Sequence, residues 1–491
     1  MFAFDPDGSG SVRVGAMPIR TALLALCACV LAAAPTSSAA PPGAWTQLGQ
    51  ANLANIDQVA LARTPDGVLH AVWTIPAPNN DTIVHDAIAA NGTASPPNVI
   101  QSGWADISNT PGLLATPDGL RVFFGGIRTT NAGEVNSNEN TATAPASGAT
   151  WDLFPGTTVT GDAAYASDAG AALLSDNTPI LSFGGTGTGV FVHRGLDPAT
   201  PNFPLQSQLG GCCGYSPDIG VDTKTGAPFA VWISNATDKS GVYAQSLDPA
   251  SGAPTGTPLQ MPGSTTLFNG HQETSQQLQR VPVAARVGGG VYVAYPGGYP
   301  TTKQVRLWRI PGSKSAVVAT SSLDHVASLA ADPEGRIWVF WIERSSSPQV
   351  FARRSNKSAT KFGPAVKLSP PKGQQSGFKI DGNAQAGALD IVALFGDSSG
   401  KQAQWHTRVL PGLELAASPS KIDGGKTTAV KFTVSDPDPV KGATVTAAGK
   451  SATTDSKGHA TIKLGPTKAK SITAAANKVG YDGGTKKLKV K

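Results

Sequence analysis

A histidine and a glutamate two residues apart, His271 and Glu273, stand in the long polar stretch Ser264–Gln279. An imidazole beside a carboxylate can hold a ligand or move a proton near neutral pH. No other His/Glu pair in the chain lies this close, so this stretch is where a ligand contact is first expected. Trp104, Trp308 and Trp405 fall outside the apolar strands described below and are read as free to face solvent, which makes Trp104 a third binding candidate. Cys212 and Cys213 are adjacent, so a bond between them cannot staple distant segments; a vicinal disulfide clipping a loop is the expectation. Two thiols without a nearby histidine make a poor metal ligand set, and the seven histidines are scattered. The chain has no Gly-rich phosphate loop, no His-x-x-x-His pair and no nucleophile elbow, so neither a metal nor a cofactor is expected.

These residues need a scaffold, and the scaffold repeats. Seven short apolar strands ending in an aromatic residue recur between Leu61 and Leu410: Leu69–Trp73, Arg121–Phe124, Ile180–Phe183, Phe229–Trp232, Val291–Tyr295, Ile337–Trp341 and Leu389–Phe395. Their spacing of about 45 to 65 residues is that of a four-stranded propeller blade. Continuous apolar runs suit strands covered on both faces, as stacked blades require. Tight turns rich in Asp and Gly precede several of them, as in Pro65-Asp-Gly67 and Asp332-Pro-Glu-Gly335, and their recurrence marks those aspartates as structural. The seventh unit lacks an outer strand, whereas Trp45–Leu48 has the character of one without a blade. Pairing the two would close a seven-bladed ring and remove an open edge.

The address and charge are uneven along the chain. Met17-Pro-Ile-Arg20, the apolar run Thr21–Ala34 and Ser38-Ala39-Ala40 form a signal peptide of the general export type, with Met17 as an alternative start. A lipid-attachment reading at Cys29 is the alternative to cleavage. No later run reaches the roughly 20 apolar residues a membrane span needs. A secreted or cell-surface location follows, without a transmembrane segment once the signal is removed. Residues 413–491 hold fourteen lysines, no arginine and six acids, a balance of +8, while the rest of the chain carries −2. The tail could therefore meet an anionic cell-envelope polymer; without an Arg-rich face or an aromatic ladder, nucleic acid is not a partner.

Ala144-Pro-Ala-Ser-Gly-Ala-Thr-Trp151 ends in Gly-x-Thr-Trp, and Ser355-Asn-Lys-Ser-Ala-Thr-Lys-Phe362 has a similar outline. Both resemble the Asp-box hairpin of sialidase-like (BNR-repeat) propellers, with the box residues Ser and Asp replaced by Ala144 and Ala146 in the first copy and the Asp by Lys357 in the second. The resemblance implies a site of three arginines on a substrate carboxylate, a Tyr nucleophile paired with Glu, and an Asp acid/base. Arg63 echoes one arginine; Glu273, Arg280 and Arg286 surround the fifth unit, near Tyr295 and Tyr299. No fixed spacing joins these fragments, and the family's six blades differ from seven.

From Leu413 the aromatics thin to Phe432 and Tyr481, and short alternating runs suggest a small β-sandwich. Val440-Lys-Gly-Ala-Thr-Val-Thr with Thr454-Asp-Ser-Lys-Gly-His-Ala-Thr-Ile resembles bacterial Ig-like domains, which implies a spacer. The expected architecture is all-β: residues 1–40 as extension and signal, 41–412 as a propeller closed by an N-terminal strand, and 413–491 as an Ig-like sandwich. The expected function is non-catalytic binding of an extracellular glycan, peptide or protein by a monomer, with no catalytic residues. The alternative is a sialidase-like glycoside hydrolase drawing on Arg63, Glu273, Arg286 and Tyr295.

Overall fold

The computed structural model describes residues 41–53, 56–78, 80–107, 110–130, 133–157, 166–185, 189–195, 206–209, 214–234, 236, 240–264, 279–297 and 303–491. His271, Glu273, Cys212, Cys213 and Tyr299 lie outside these residues, as does the export segment. Every regular element among them is a strand, and no helix is long and apolar enough to cross a membrane.

Up to residue 409 the strands fall into seven four-stranded antiparallel units. Their first strands are Ala60–Arg63, Gly112–Thr116, Ala166–Leu173, Gly214–Val221, Val283–Ala285, Asp324–Ala331 and Gln374–Gln385. The apolar runs read from the sequence are the second strands, for example Ile337–Arg344, whose first six residues are all buried. Val, Ile, Phe and Trp dominate them because β-branched and aromatic side chains fill both faces of a covered strand. The preceding turns are built by their aspartates. The Asp332 carboxylate accepts the amides of Glu334 and Arg336 at 3.0 and 2.9 Å, while Gly335 takes the positive φ of +81°.

Units one and two depart from equal repeats. Asn98–Ile107 pairs with the long strand Gly119–Thr130, which merges both units into one eight-stranded sheet. In unit seven, Thr46–Asn52 lies antiparallel to Gln402–Val409, with Thr46 opposite His406 and Leu48 opposite Gln404. This is the pairing expected of Trp45–Leu48.

Apolar clusters join neighbouring units, and one joins the last to the first: Leu48, Val392 and Leu394 pack with Leu69, Ala71 and Trp73. A polar knot ties the same pair. Asp390, whose side chain is fully buried, accepts Arg63 Nη2 at 2.6 Å, Arg408 Nε at 2.9 Å and His406 Nε2 at 2.9 Å. Burial alone would raise its pKa, but the bonds from His406 and Arg408 hold it down at about 2.

From Glu414 the chain forms two further sheets. Glu414–Ser418, Thr428–Asp436, Asp438–Pro439 and His459–Leu464 make one; Lys421–Ile422, Gly484–Val490, Ser471–Asn477, Thr444–Ala447 and Lys450–Thr453 make the other. They enclose one core around Val430, Phe432, Val445, Ala474 and Leu488. This part is fastened to unit six. Arg354 forms a buried ion pair with Asp436 and lies 5.7 Å over the rings of both Trp338 and Tyr481, and Arg336 meets Asp438 at 3.0 Å. Burial opposes the Arg354 charge, yet the Asp436 carboxylate raises its pKa above the ordinary value.

Candidate functional site

One cavity of about 270 Å³ is lined by residues from all seven first strands, Ala60, Leu113, Ala171, Asp218, Ala284, Ser328 and Asp381 among them. Alanine, glycine and serine supply much of the lining; of the polar residues, Gln58 and Arg280 gather just ahead of their first strands, and Asp218 and Asp381 lie within theirs.

The local backbone explains that gathering. In units three and four the first strand opens with a bulge, between Ser167 and Gly170 and between Tyr215 and Asp218. Asp168 and Ser216 there hold φ of 52° and 51°, a left-handed conformation that costs a non-glycine residue about 1–2 kcal/mol. Gly170 must lack a side chain, since a Cβ would stand 2.6 Å from Asp218 Oδ1. The chain returning from the polar stretch crosses the same end. The Arg280 amide donates to Gln58 Oε1 at 2.8 Å, and its guanidinium donates to the Ala169 carbonyl at 2.9 Å and lies 3.6 Å from Asp381. Gln279 donates to the Ala327 carbonyl at 2.8 Å and accepts the Ile380 amide at 3.1 Å. Lys379 and Asp57 pair at 3.1 Å nearby. Five strand openings, remote in sequence, are thereby knitted into one collar around Arg280.

The collar carries four carboxylates, Asp57, Asp168, Asp218 and Asp381, against two cations, Lys379 and Arg280. Burial pushes Asp168 and Asp218 up to about 6, with only partial relief from Arg280. Asp57 and Asp381 are also raised, again by burial, which outweighs the charges of Lys379 and Arg280. Enclosure is not exclusion of solvent: the Asp57 and Asp381 side chains keep 16% and 19% exposure, and Lys379 keeps 15%. Groups crowded by protein but still wetted belong to a recessed mouth. Asp168 and Asp218, raised to about 6, can donate or accept hydrogen bonds and protons. Tyr215, 44% exposed, is the second residue of the strand that carries Asp218.

Among the described residues, those singled out from the sequence do not converge. Arg63 closes the first strand of unit one at the end away from the collar, where its guanidinium is taken by Asp390, Asn383 and the Gly67 carbonyl. Arg286 donates to the Gly289 and Lys357 carbonyls at 3.1 and 2.6 Å, tying adjacent turns. Tyr295 is buried between units four and five, with its hydroxyl donating to the Pro262 carbonyl. Trp104, read as free to face solvent, is 1% exposed and packs edge-on to Phe124 at 5.2 Å between centroids, because its strand pairs across to unit two. Trp308 is equally buried, while Trp405 stays partly exposed beside Trp45 in an open groove of about 540 Å³. Of the described fragments around the fifth unit (Arg280, Arg286 and Tyr295), Arg280 joins the collar. Asp57, Asp168, Asp218, Lys379 and Asp381 were passed over, although charged residues recurring at first-strand openings were a usable signal.

No protein-family model and no curated protein matches the sequence. Among solved structures, the chain is similar to a protein of unknown function from Dyadobacter fermentans, at 12% identity over 75% of this chain and 98% of that one, with a TM-score of 0.44. It is also similar to a PL25 ulvan lyase, a polysaccharide lyase, at 12% identity over 73% and 94%, TM-score 0.47. A leech intramolecular trans-sialidase aligns at 7% identity over 65% and 68%, TM-score 0.41. Likenesses this distant leave function to the chemistry of the collar.

Proposed function

We propose that the chain is an exported, non-catalytic binding protein that holds a glycan at the collar end of a seven-bladed propeller. The seven units, the cavity lined by all their first strands and the apolar cluster joining units seven and one support the ring, with Thr46–Asn52 as its closing strand. The two-sheet part from residue 413 is read as an Ig-like module, and its ion pairs to unit six favour a fixed mount over a loose spacer. The resemblance to sialidase-like propellers is then one of repeat plan; among the described residues, Arg63, Arg286 and Tyr295 stand apart from one another.

A single observation carries the functional reading: wetted carboxylates and Arg280 share one recessed end, with exposed Tyr215 on the strand that carries Asp218. Carboxylates accept hydrogen bonds from vicinal hydroxyls, and an aromatic ring packs on the apolar face of a sugar. Four carboxylates against two cations suit a neutral sugar better than a carboxylated one. The test is a glycan array followed by calorimetry on the best ligand, with Tyr215→Ala and Asp218→Asn as variants. Both should weaken binding by about tenfold or more, the factor that about 1.4 kcal/mol represents, without lowering the melting temperature of the chain. Parent-like affinity in both variants would sink the proposal.

A glycoside hydrolase is the second reading, because Asp218 and Asp381 both face the Arg280 charge and the charge of Asp381 helps raise Asp218. Turnover of a fluorogenic glycoside that Asp218→Asn abolishes would replace binding with catalysis.

A further inference from the structure

The strand register of the C-terminal part places lysines where they repel one another. Lys421 lies directly opposite Lys489 in a parallel pair, and Lys487 follows two residues along the same strand, about 7 Å away. Like charges facing across strands destabilise a sheet. Among the described residues no ion pair involves any of the three, and all are exposed. Cross-strand partners on that face are Ser471 and Thr473, and beyond them Thr446. The outer face of this five-stranded sheet presents lysines, hydroxyls, an amide and alanine, with no carboxylate and no large apolar side chain. Acids are not absent from residues 413–491, but Asp436 and Asp438 are turned to Arg354 and Arg336 of unit six. Fourteen lysines thus answer to four remaining carboxylates.

We infer that this face binds a linear acidic polysaccharide, one bearing sulfate or uronate groups along its length. Ammonium groups supply the counter-charge, and the rows of Ser and Thr hydroxyls meet those of the sugar. A bilayer is a poorer occupant, because an interfacial surface needs apolar side chains that this face lacks. The mount on unit six holds the face on the same body as the collar, so a chain can carry both a charged polymer and a separate ligand. This site is independent of the glycan reading at the collar.

The experiment uses the full chain with heparin and polygalacturonate as probes, against polyphosphate and vesicles containing anionic phosphatidylglycerol. The Lys421→Gln/Lys487→Gln/Lys489→Gln variant should bind the polysaccharides at least about tenfold more weakly at 0.15 M salt, with a shallower salt dependence. The Lys431→Gln/Lys457→Gln/Lys463→Gln variant has the same net charge but spares this face, and should bind like the parent. Asp218→Asn should also leave polysaccharide binding unchanged, which separates this site from the collar. Equal loss in the two triple variants would mean net charge alone is at work and would overturn the inference. Tighter binding to vesicles or polyphosphate than to either polysaccharide would overturn it as well.

Discussion

Replacing Asp390 with asparagine keeps the shape of the knot between units seven and one but removes its charge. The magnitude follows from the structure. Holding the carboxyl at about 2 rather than at the ordinary 3.8 is worth about 2 kcal/mol to the folded state. The variant also leaves Arg63 and Arg408, 15% and 17% exposed, facing an uncharged partner, which brings the expected loss to about 3 kcal/mol. For a cooperative unit of about 450 residues, that lowers the melting temperature by about 3 °C. The pH dependence carries the sign. A depressed carboxylate stabilises the fold at pH above about 4, and the contribution disappears as pH falls through about 2. Asp390→Asn should therefore lose most at pH 7 and converge with the parent in acid. Calorimetry between pH 2 and 7 reads both quantities. Asp397→Asn, which alters a turn aspartate far from the knot, serves as the control. A melting temperature within about 1 °C of the parent at pH 7, or a gap that persists unchanged at pH 2, would refute the reasoning.

Three further outcomes are expected. Arg354→Met removes the buried partner of Asp436 and should cost about 3 kcal/mol at the contact with unit six, splitting one calorimetric transition into two as residues 413–491 melt separately; a single unshifted transition would contradict this. Asp86 is fully buried and burial pushes its carboxyl up to about 7, so the fold prefers it protonated and loses stability as pH rises from about 4 to 7. Asp86→Asn should accordingly raise the melting temperature at pH 8 by a few degrees and change it little at pH 4. The paired imidazoles of His70 and His85, 2.9 Å apart, are held neutral by burial, with His70 down at about 4. Stability should therefore fall as pH drops from about 6.5 to 4, and His70→Gln should flatten that slope in urea titrations.

Local features were legible in residue order. Apolar runs covered on both faces, aspartate-built turns and the change to lysine after residue 412 are written in neighbouring residues, so the repeated four-stranded units and the later sheets could be read from them. Even the pairing of Trp45–Leu48 with the last unit followed, because an unpaired strand and an incomplete sheet left one economical solution. Side-chain destinations did not follow. Trp104 looked free because it lies off the repeating strand, yet the pairing of its strand with unit two buries it. Arg63 looked like a substrate arginine, yet Asp390, more than three hundred residues away, takes its charge. The collar is tertiary throughout: Asp57, Asp168, Asp218, Arg280 and Asp381 meet only when five first strands bring their openings to one end. Turn chemistry acts over a few residues and can be read in order. Electrostatic neighbourhoods depend on distances through space, and only the folded chain sets those.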